Sequence, residues 1–230
     1  MIRLREKLQA LPVAGPALAQ FWNSVRSRQF NSANYWDERY RAGGNSGDGS
    51  YGDLARFKAD VLNHFVEIHG IRSVIEFGCG DGNQLRLAQY PKYCGIDISA
   101  KAIETCRSLF REDSSKTFLP AHGDQVISQQ AELALSLDVI YHLVEDDVYE
   151  SYMQRLFEAA SRYVIIYSDN EDKPREVAHV RHRRFSAWIE QNRPDWQLNE
   201  HIPNKFPYQP KTQLGSWADF WIYSRATAQP

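Results

Sequence analysis

The run Val74-Ile75-Glu76-Phe77-Gly78-Cys79-Gly80-Asp81-Gly82 constrains this chain more than any other stretch. A short apolar, β-branched segment reads as a strand, and the alternating glycines that end it read as a turn with little steric cost. The pattern predicts a helix opening at Asn83 and running to Ala88. A second apolar strand, Tyr93-Cys94-Gly95-Ile96-Asp97, then ends on an acid. In such a βαβ unit the turn amides and the helix N-terminus favour negatively charged ligand groups. A carboxylate at the tip of the second strand accepts hydrogen bonds from ribose hydroxyls. A bare glycine turn is the plain alternative, but strand, turn, helix, strand and terminal acid fall in the order a nucleoside cofactor requires.

The rest of the chain continues the alternation. Leu54 to His69 has the spacing of an amphipathic helix, and Ala100 to Phe110 reads as another. Short strands are expected at Ser73 to Phe77, Thr117 to Leu119, Leu133 to Leu137 and Tyr163 to Tyr167, with helices at Asp147 to Ala160 and Phe185 to Gln191. Trp196 to His201 and Ala218 to Tyr223 are two late strands with no helix between them. The expectation is an α/β fold: a seven-stranded, mostly parallel Rossmann-like sheet with an antiparallel last strand and helices on both faces.

Residues 31–52 are crowded with glycine and aromatic side chains, including Tyr35, Trp36, Tyr40 and Tyr51. That mixture predicts an ordered loop able to move, a lid. Residues 1–30 carry Arg3, Arg5, Lys7, Arg26 and Arg28 against Glu6, a basic arm that packs on the domain or makes peripheral contact with a membrane or partner. Residues 1–52 are therefore assigned to a helical arm and lid, and 53–230 to the main domain.

A chain of 230 residues with 43% hydrophobic side chains can bury a core without staples. The net charge of −2 provides no field for nucleic acid, which is not expected as a partner. Cys79, Cys94 and Cys106 are an odd set without metal-ligand spacing, as free thiols in a reducing compartment would be. No apolar run reaches membrane-spanning length, and a cytoplasmic location is expected.

The cofactor is narrowed by the third glycine. A dinucleotide fingerprint would place it at position 83, which is Asn83; here the glycines alternate, and Glu76 stands two residues before the first. In this the chain resembles the class I S-adenosylmethionine (SAM)-dependent methyltransferases, from about Leu54 to Tyr223. The resemblance implies that Glu76 and the loop residues Gly78, Cys79, Gly80 and Gly82 hold the methionine end of SAM. It places Asp97, with Ile98 beside it, on the ribose. Gly123-Asp124 matches the third family motif, which meets the adenine. Ser136-Leu137-Asp138-Val139 matches the fourth, near the transferred methyl, and the final strand pair matches the family's reversed seventh strand.

Methyl transfer needs acceptor, methyl and sulfur in line, with a base for the acceptor's proton. His142 is suited to that by its ordinary titration range, or else it bridges the loop to a helix. Asp138 positions the acceptor or the SAM amine, or caps a helix. Tyr51, Tyr141, His179, Arg181 and His182 are the candidates for acceptor binding, and Arg181, Arg183 and Arg184 suit a phosphate or carboxylate. No cysteine or paired acid completes a metal site around His179 and His182. An Asn/Asp-Pro-Pro-aromatic motif, common in amide and nucleobase N-methyltransferases, is replaced here by Ser136-Leu137-Asp138-Val139. The expected activity is O-methylation of a small molecule or glycan, of the surface-polysaccharide or natural-product kind. The alternatives are an RNA or protein methyltransferase gripping its polymer through Arg181 to Arg184, and a non-catalytic SAM-binding subunit of a partner enzyme.

Overall fold

The computed structural model describes residues 30–122, 128–174, 177–212 and 214–226. The basic arm up to residue 29, and the Gly123-Asp124 pair, lie outside the described residues. Seven strands form one sheet: β1 (Val74–Phe77), β2 (Tyr93–Asp97), β3 (Lys116–Pro120), β4 (Ala131–Leu137), β5 (Ala160–Ser168), β6 (Trp196–Ile202) and β7 (Asp219–Arg225). Their order is β3-β2-β1-β4-β5-β7-β6. The first five run parallel, with Ile75 opposite Cys94 on one side and Ala134 on the other. β7 is inserted antiparallel between β5 and β6. This is the expected α/β sheet with its reversed last strand.

Side chains alternate across each strand, and the two faces sort accordingly. Val74, Leu133, Leu135 and Ile165 pack with Leu62, Phe65 and Val66 of α2 (Gly52–Ile68) and with Ile103 of α3 (Ala100–Leu109). Ile75, Phe77, Ala134 and Ile166 pack with Met153, Leu156 and Phe157 of α4 (Asp146–Glu158) and with Trp188 and Ile189 of α5 (Phe185–Asn192). α2 buries Ala55, Lys58, Ala59, Leu62, Phe65 and Val66, a stripe at helical spacing. Lys58 is the one charged member of that stripe. Because β2 and β4 flank β1 on opposite sides, the connections after β1 and β4 leave in opposite directions and open a crevice at the strands' carboxyl ends.

Two segments depart from the sequence expectation. The helix predicted over Asn83 to Ala88 is a single 3-10 turn, Gln84–Leu87. Asn83 Nδ2 donates to the Ser50 carbonyl at 2.7 Å and Gln84 Nε2 to the Ala55 carbonyl at 3.0 Å, which ties the turn down sideways. Pro91 and the start of β2 then leave no length for propagation. The second departure lies in residues 31–52, read as loop. They contain a helix, α1 (Ser32–Arg41), whose N-terminus is capped by Asn31 accepting from the Asn34 amide at 2.7 Å.

Candidate active site

A cavity of about 560 Å³ occupies the crevice, lined from the sheet by Glu76, the turn at Gly78–Asp81, Asp97, Ile98 and Asp138. Trp36 and Tyr40 cover it from α1, and Val148, Ser151 and Tyr152 wall it from α4.

The turn is built for close approach. Gly78, Gly80 and Gly82 have φ of 87°, 56° and 76°, a region costly for any residue with a Cβ. A Cβ on Gly78 would strike the Val139 side chain, and one on Gly80 would strike Ser46 Oγ, with Tyr40 Oη 2.9 Å away. Gly82 is constrained by something else. Its neighbours are Cys106, Leu109 and Phe110, so it lets α3 pack against the turn and does not line the cavity. Cys79 is buried, lines the cavity, and has its thiol pushed well up, first by its contact with the Cys106 thiol and then by burial.

Asp97 ends β2 and is 6% exposed. Its Oδ2 accepts from the Gly80 amide at 2.9 Å and its Oδ1 from the Ser99 amide at 2.8 Å. The Ile98 amide is a third backbone donor to this carboxylate, so the three amides take most but not all of its acceptor capacity. Burial raises its carboxyl to about 6, against the pull of those amides. Glu76, also buried, accepts from Tyr93 Oη at 2.6 Å, and burial raises it to about 7, with Tyr93 and Lys58 opposing. Both acids are thus raised above their unfolded values of about 4. Their contribution to stability is therefore greatest below about pH 4, where both are protonated in either state, and falls as the pH rises to about 7 and they ionise in the folded protein. A ligand ammonium held beside Glu76 offsets its share of that loss, and the affinity for such a ligand should fall by roughly tenfold or more between about pH 8 and pH 5.5. Calorimetric titration of S-adenosylhomocysteine (SAH) across that range checks this; a flat profile would contradict it.

The segment from Ser46 to Tyr51, expected to form a lid, is tied to the turn by a network that sequence reasoning missed. Asp81 Oδ2 accepts from the Ser46 amide at 3.0 Å and from Tyr51 Oη at 2.8 Å, while the Asp81 amide donates to Ser46 Oγ at 2.9 Å. Tyr51, a candidate for acceptor binding, is therefore engaged with the turn, and burial with the Asp81 contact pushes its hydroxyl up to about 12. At the other end of α1, Glu145 takes the Ser32 amide at 2.8 Å and the Ser32 hydroxyl. In the middle, Asp37 accepts from Ser99 Oγ at 2.8 Å. α1 thus spans the crevice from the segment after β4 to the segment after β2.

Asp138 follows β4 with φ of 58°, the one non-glycine residue with positive φ among those described. Such strain persists only where the surroundings impose it. Here Lys58 Nζ donates to Oδ2 at 2.6 Å and Tyr141 Oη to Oδ1 at 2.8 Å. Tyr141 sits beneath Asp138 and outside the cavity lining, its hydroxyl pushed well up by burial and then by Asp138. His142 lines the cavity. Its Nδ1 lies 3.0 Å from the His179 carbonyl, so that nitrogen carries the hydrogen and Nε2 the lone pair. Burial lowers it to about 4. The Trp36 ring meets it edge-on at 4.9 Å, and His179 stacks between it and Tyr35 at 5.8 and 5.0 Å.

Other predicted residues lie further off. Ser136 is fully buried, with its Oγ 2.7 Å from Tyr152 Oη, and does not line the cavity. His182 Nδ1 pairs with Asp169 at 2.6 Å beneath Trp217. Arg181 pairs with Asp146 at 2.9 Å and donates to the Val144 carbonyl at 3.0 Å; Arg183 holds the same acid at 2.8 Å. Lys58, missed as a site residue, had one legible signal: a charge inside an apolar helical stripe. Among the described residues no helix is long and apolar enough to cross a membrane, and no group of three or more His, Cys, Asp and Glu side chains could hold a metal ion.

Residues 37–219 match a family described as a methyltransferase domain, and the chain belongs to that family. The resemblance drawn from the glycine turn is thereby borne out. No curated protein sequence matches the chain. Among solved structures it is similar to the N-methyltransferase NodS of Bradyrhizobium japonicum WM9 in complex with SAH, at 13% identity and a TM-score of 0.65, covering 86% of this chain and 100% of that one. It is also similar to magnesium protoporphyrin IX methyltransferase of Synechocystis PCC 6803 with bound SAM (15% identity, TM-score 0.58, 85% and 98% covered). A third is the methyltransferase domain of the bacterial protein CtHen1 (15%, TM-score 0.58, 74% and 97%).

Proposed function

We propose that this chain binds SAM in the crevice and methylates a hydroxyl of a small molecule or glycan. The observation that carries the reading is Asp97: a buried carboxylate at the tip of β2, tied to the glycine turn, lining the cavity and keeping part of its acceptor capacity for ribose hydroxyls. The cradle fits the group, since the backbone of the turn at Gly78–Asp81 lines the cavity between Glu76 and Asp97. Glu76 suits the α-ammonium, and Ala121 and His122 after β3 line the end where an adenine would lie. When bound, SAM supplies an electrophilic methyl on a positively charged sulfur.

The chain's own residues do the rest. Trp36 and Leu143 wall the cavity with apolar surface that excludes water. His142, kept neutral by burial that lowers it to about 4, presents Nε2 as the acceptor for a hydroxyl proton, its tautomer set by the His179 carbonyl. It is a weaker base than a free imidazole but is wholly in its accepting form at neutral pH. Asp138 is held in place by Lys58 and Tyr141 and shapes the loop beside His142. Replacing His142 with alanine should lower turnover by roughly 100-fold or more while SAH affinity stays within about twofold; unchanged turnover removes it from the mechanism.

Among the solved relatives are a small-RNA methyltransferase and an N-methyltransferase. Against a polymer acceptor here stands the engagement of Arg181 and Arg183 with Asp146, which leaves less charge to grip phosphates. A non-catalytic subunit is disfavoured by the open cavity beside His142. Incubating the protein with methyl-labelled SAM and a panel of hydroxylated small molecules, oligosaccharides, RNA and peptides tests the reading. Label on a hydroxyl supports it, and label only on RNA or peptide overturns it.

A further inference from the structure

The amino-acid end of SAM carries an ammonium and a carboxylate on the same carbon. A site for it therefore needs two partners of opposite sign a few ångströms apart. The usual source of the positive partner in a βαβ unit is the N-terminus of the helix after the glycine turn. This chain lacks that helix: a four-residue 3-10 turn, Gln84–Leu87, stands in its place, with too few aligned peptides for a macrodipole. The positive partner must come from elsewhere.

Two side-chain cations are present among the described residues lining the cavity, Lys58 and Arg155. Arg155 stands at the β3 end, where it donates to the Ala121 carbonyl at 3.3 Å. Lys58 stands at the β1–β4 end. Its side chain is 1% exposed, rises from the apolar stripe of α2, and acts electrostatically on Glu76. An ammonium has three donors. Among the described residues Lys58 has one hydrogen-bond partner, Asp138 at 2.6 Å, and its Nζ lies 5.2 Å from the Tyr167 ring centroid. Placing a lysine ammonium in a core stripe is costly unless a partner repays it, and Asp138 takes only part of its bonding capacity.

We propose that Lys58 is the residue that binds the carboxylate of the cofactor's amino-acid end, forming with Glu76 a charge pair complementary to that zwitterion. The inference rests on the proposed SAM site. It also accounts for the strained backbone of Asp138: Lys58 draws the acid inward and is itself held pointing into the cavity.

The test compares SAH with its decarboxylated analogue, 5′-deoxy-5′-(3-aminopropylthio)adenosine, by calorimetric titration. The wild-type protein should bind SAH roughly 10- to 100-fold more tightly than the analogue, the range of one charged hydrogen-bonded contact. Asp138→Asn keeps Lys58 and should keep that preference. The double variant Lys58→Met, Asp138→Asn removes both members of the ion pair, so neither is left unpaired, and should bind the two ligands within about threefold. Equal affinities in the wild-type protein overturn the proposal without any variant, and so does a preference that survives in the double variant, which would give the carboxylate to the turn amides alone. Failure of SAH to bind the wild-type protein at all would overturn the cofactor reading itself.

Discussion

Replacing Asp97 with alanine is expected to weaken SAH binding by roughly 100-fold or more, since two hydrogen bonds to an ionised carboxylate contribute about 3 kcal/mol or more together. The loss has two parts. The ribose diol forfeits its acceptor, and the Gly80 and Ser99 amides forfeit theirs, so the turn that cradles the cofactor is no longer tied to β2. Asp97→Asn separates the parts. Its amide oxygen can still take one backbone bond, and it should recover thermal stability while leaving affinity low. Calorimetry and thermal unfolding of the three proteins provide the comparison, and wild-type affinity in Asp97→Ala would remove Asp97 from the site.

The second large effect is expected at Gly80. Alanine there meets a left-handed backbone, at a cost of about 1–2 kcal/mol, and drives its Cβ into Ser46 Oγ, the hydroxyl that joins the lid segment to the Asp81 amide. The overpacking adds roughly 1–3 kcal/mol, so the unfolding midpoint should fall by on the order of 10 °C, with SAH binding lost beyond detection. Adding Ser46→Gly relieves the clash with Ser46 but leaves Tyr40 Oη 2.9 Å from the new Cβ and deletes the bond to the Asp81 amide, so it should restore only part of the lost stability. A Gly80→Ala protein with an unchanged midpoint would show that the turn adopts another conformation in solution.

Both predictions rest on residues that could be read before any coordinates. The apolar run at Tyr93 to Asp97 stands out because Pro91 and Lys92 precede it and an acid ends it, and its strand has those limits in the structure. The turn is equally plain, since nothing but glycine tolerates three left-handed residues in five. What stayed illegible depended on contacts distant in sequence. Asp81 is an unmarked letter between two glycines, and its role appears when Ser46, thirty-five positions earlier, folds over it. The expected helix after Gly82 failed because Asn83 and Gln84 spend their side chains on α2 and its approach, which local pattern does not register. α1 was hidden by composition: Asn, Tyr and Trp are weak helix formers, and docking onto Glu145 and Ser99 holds the segment in place. Lys58 was missed: its one signal was a charge on a buried stripe, whose meaning required knowing that Asp138 lies opposite.

The central claim is that one crevice holds the cofactor by its sugar and its amino-acid end together. The most direct test is a crystal structure of the protein grown with SAH. Density should run from Glu76 across Gly78 and Gly80 to Asp97, with a ribose hydroxyl within hydrogen-bonding distance of each Asp97 oxygen. An empty crevice, or SAH bound with its ribose away from Asp97, would contradict the account.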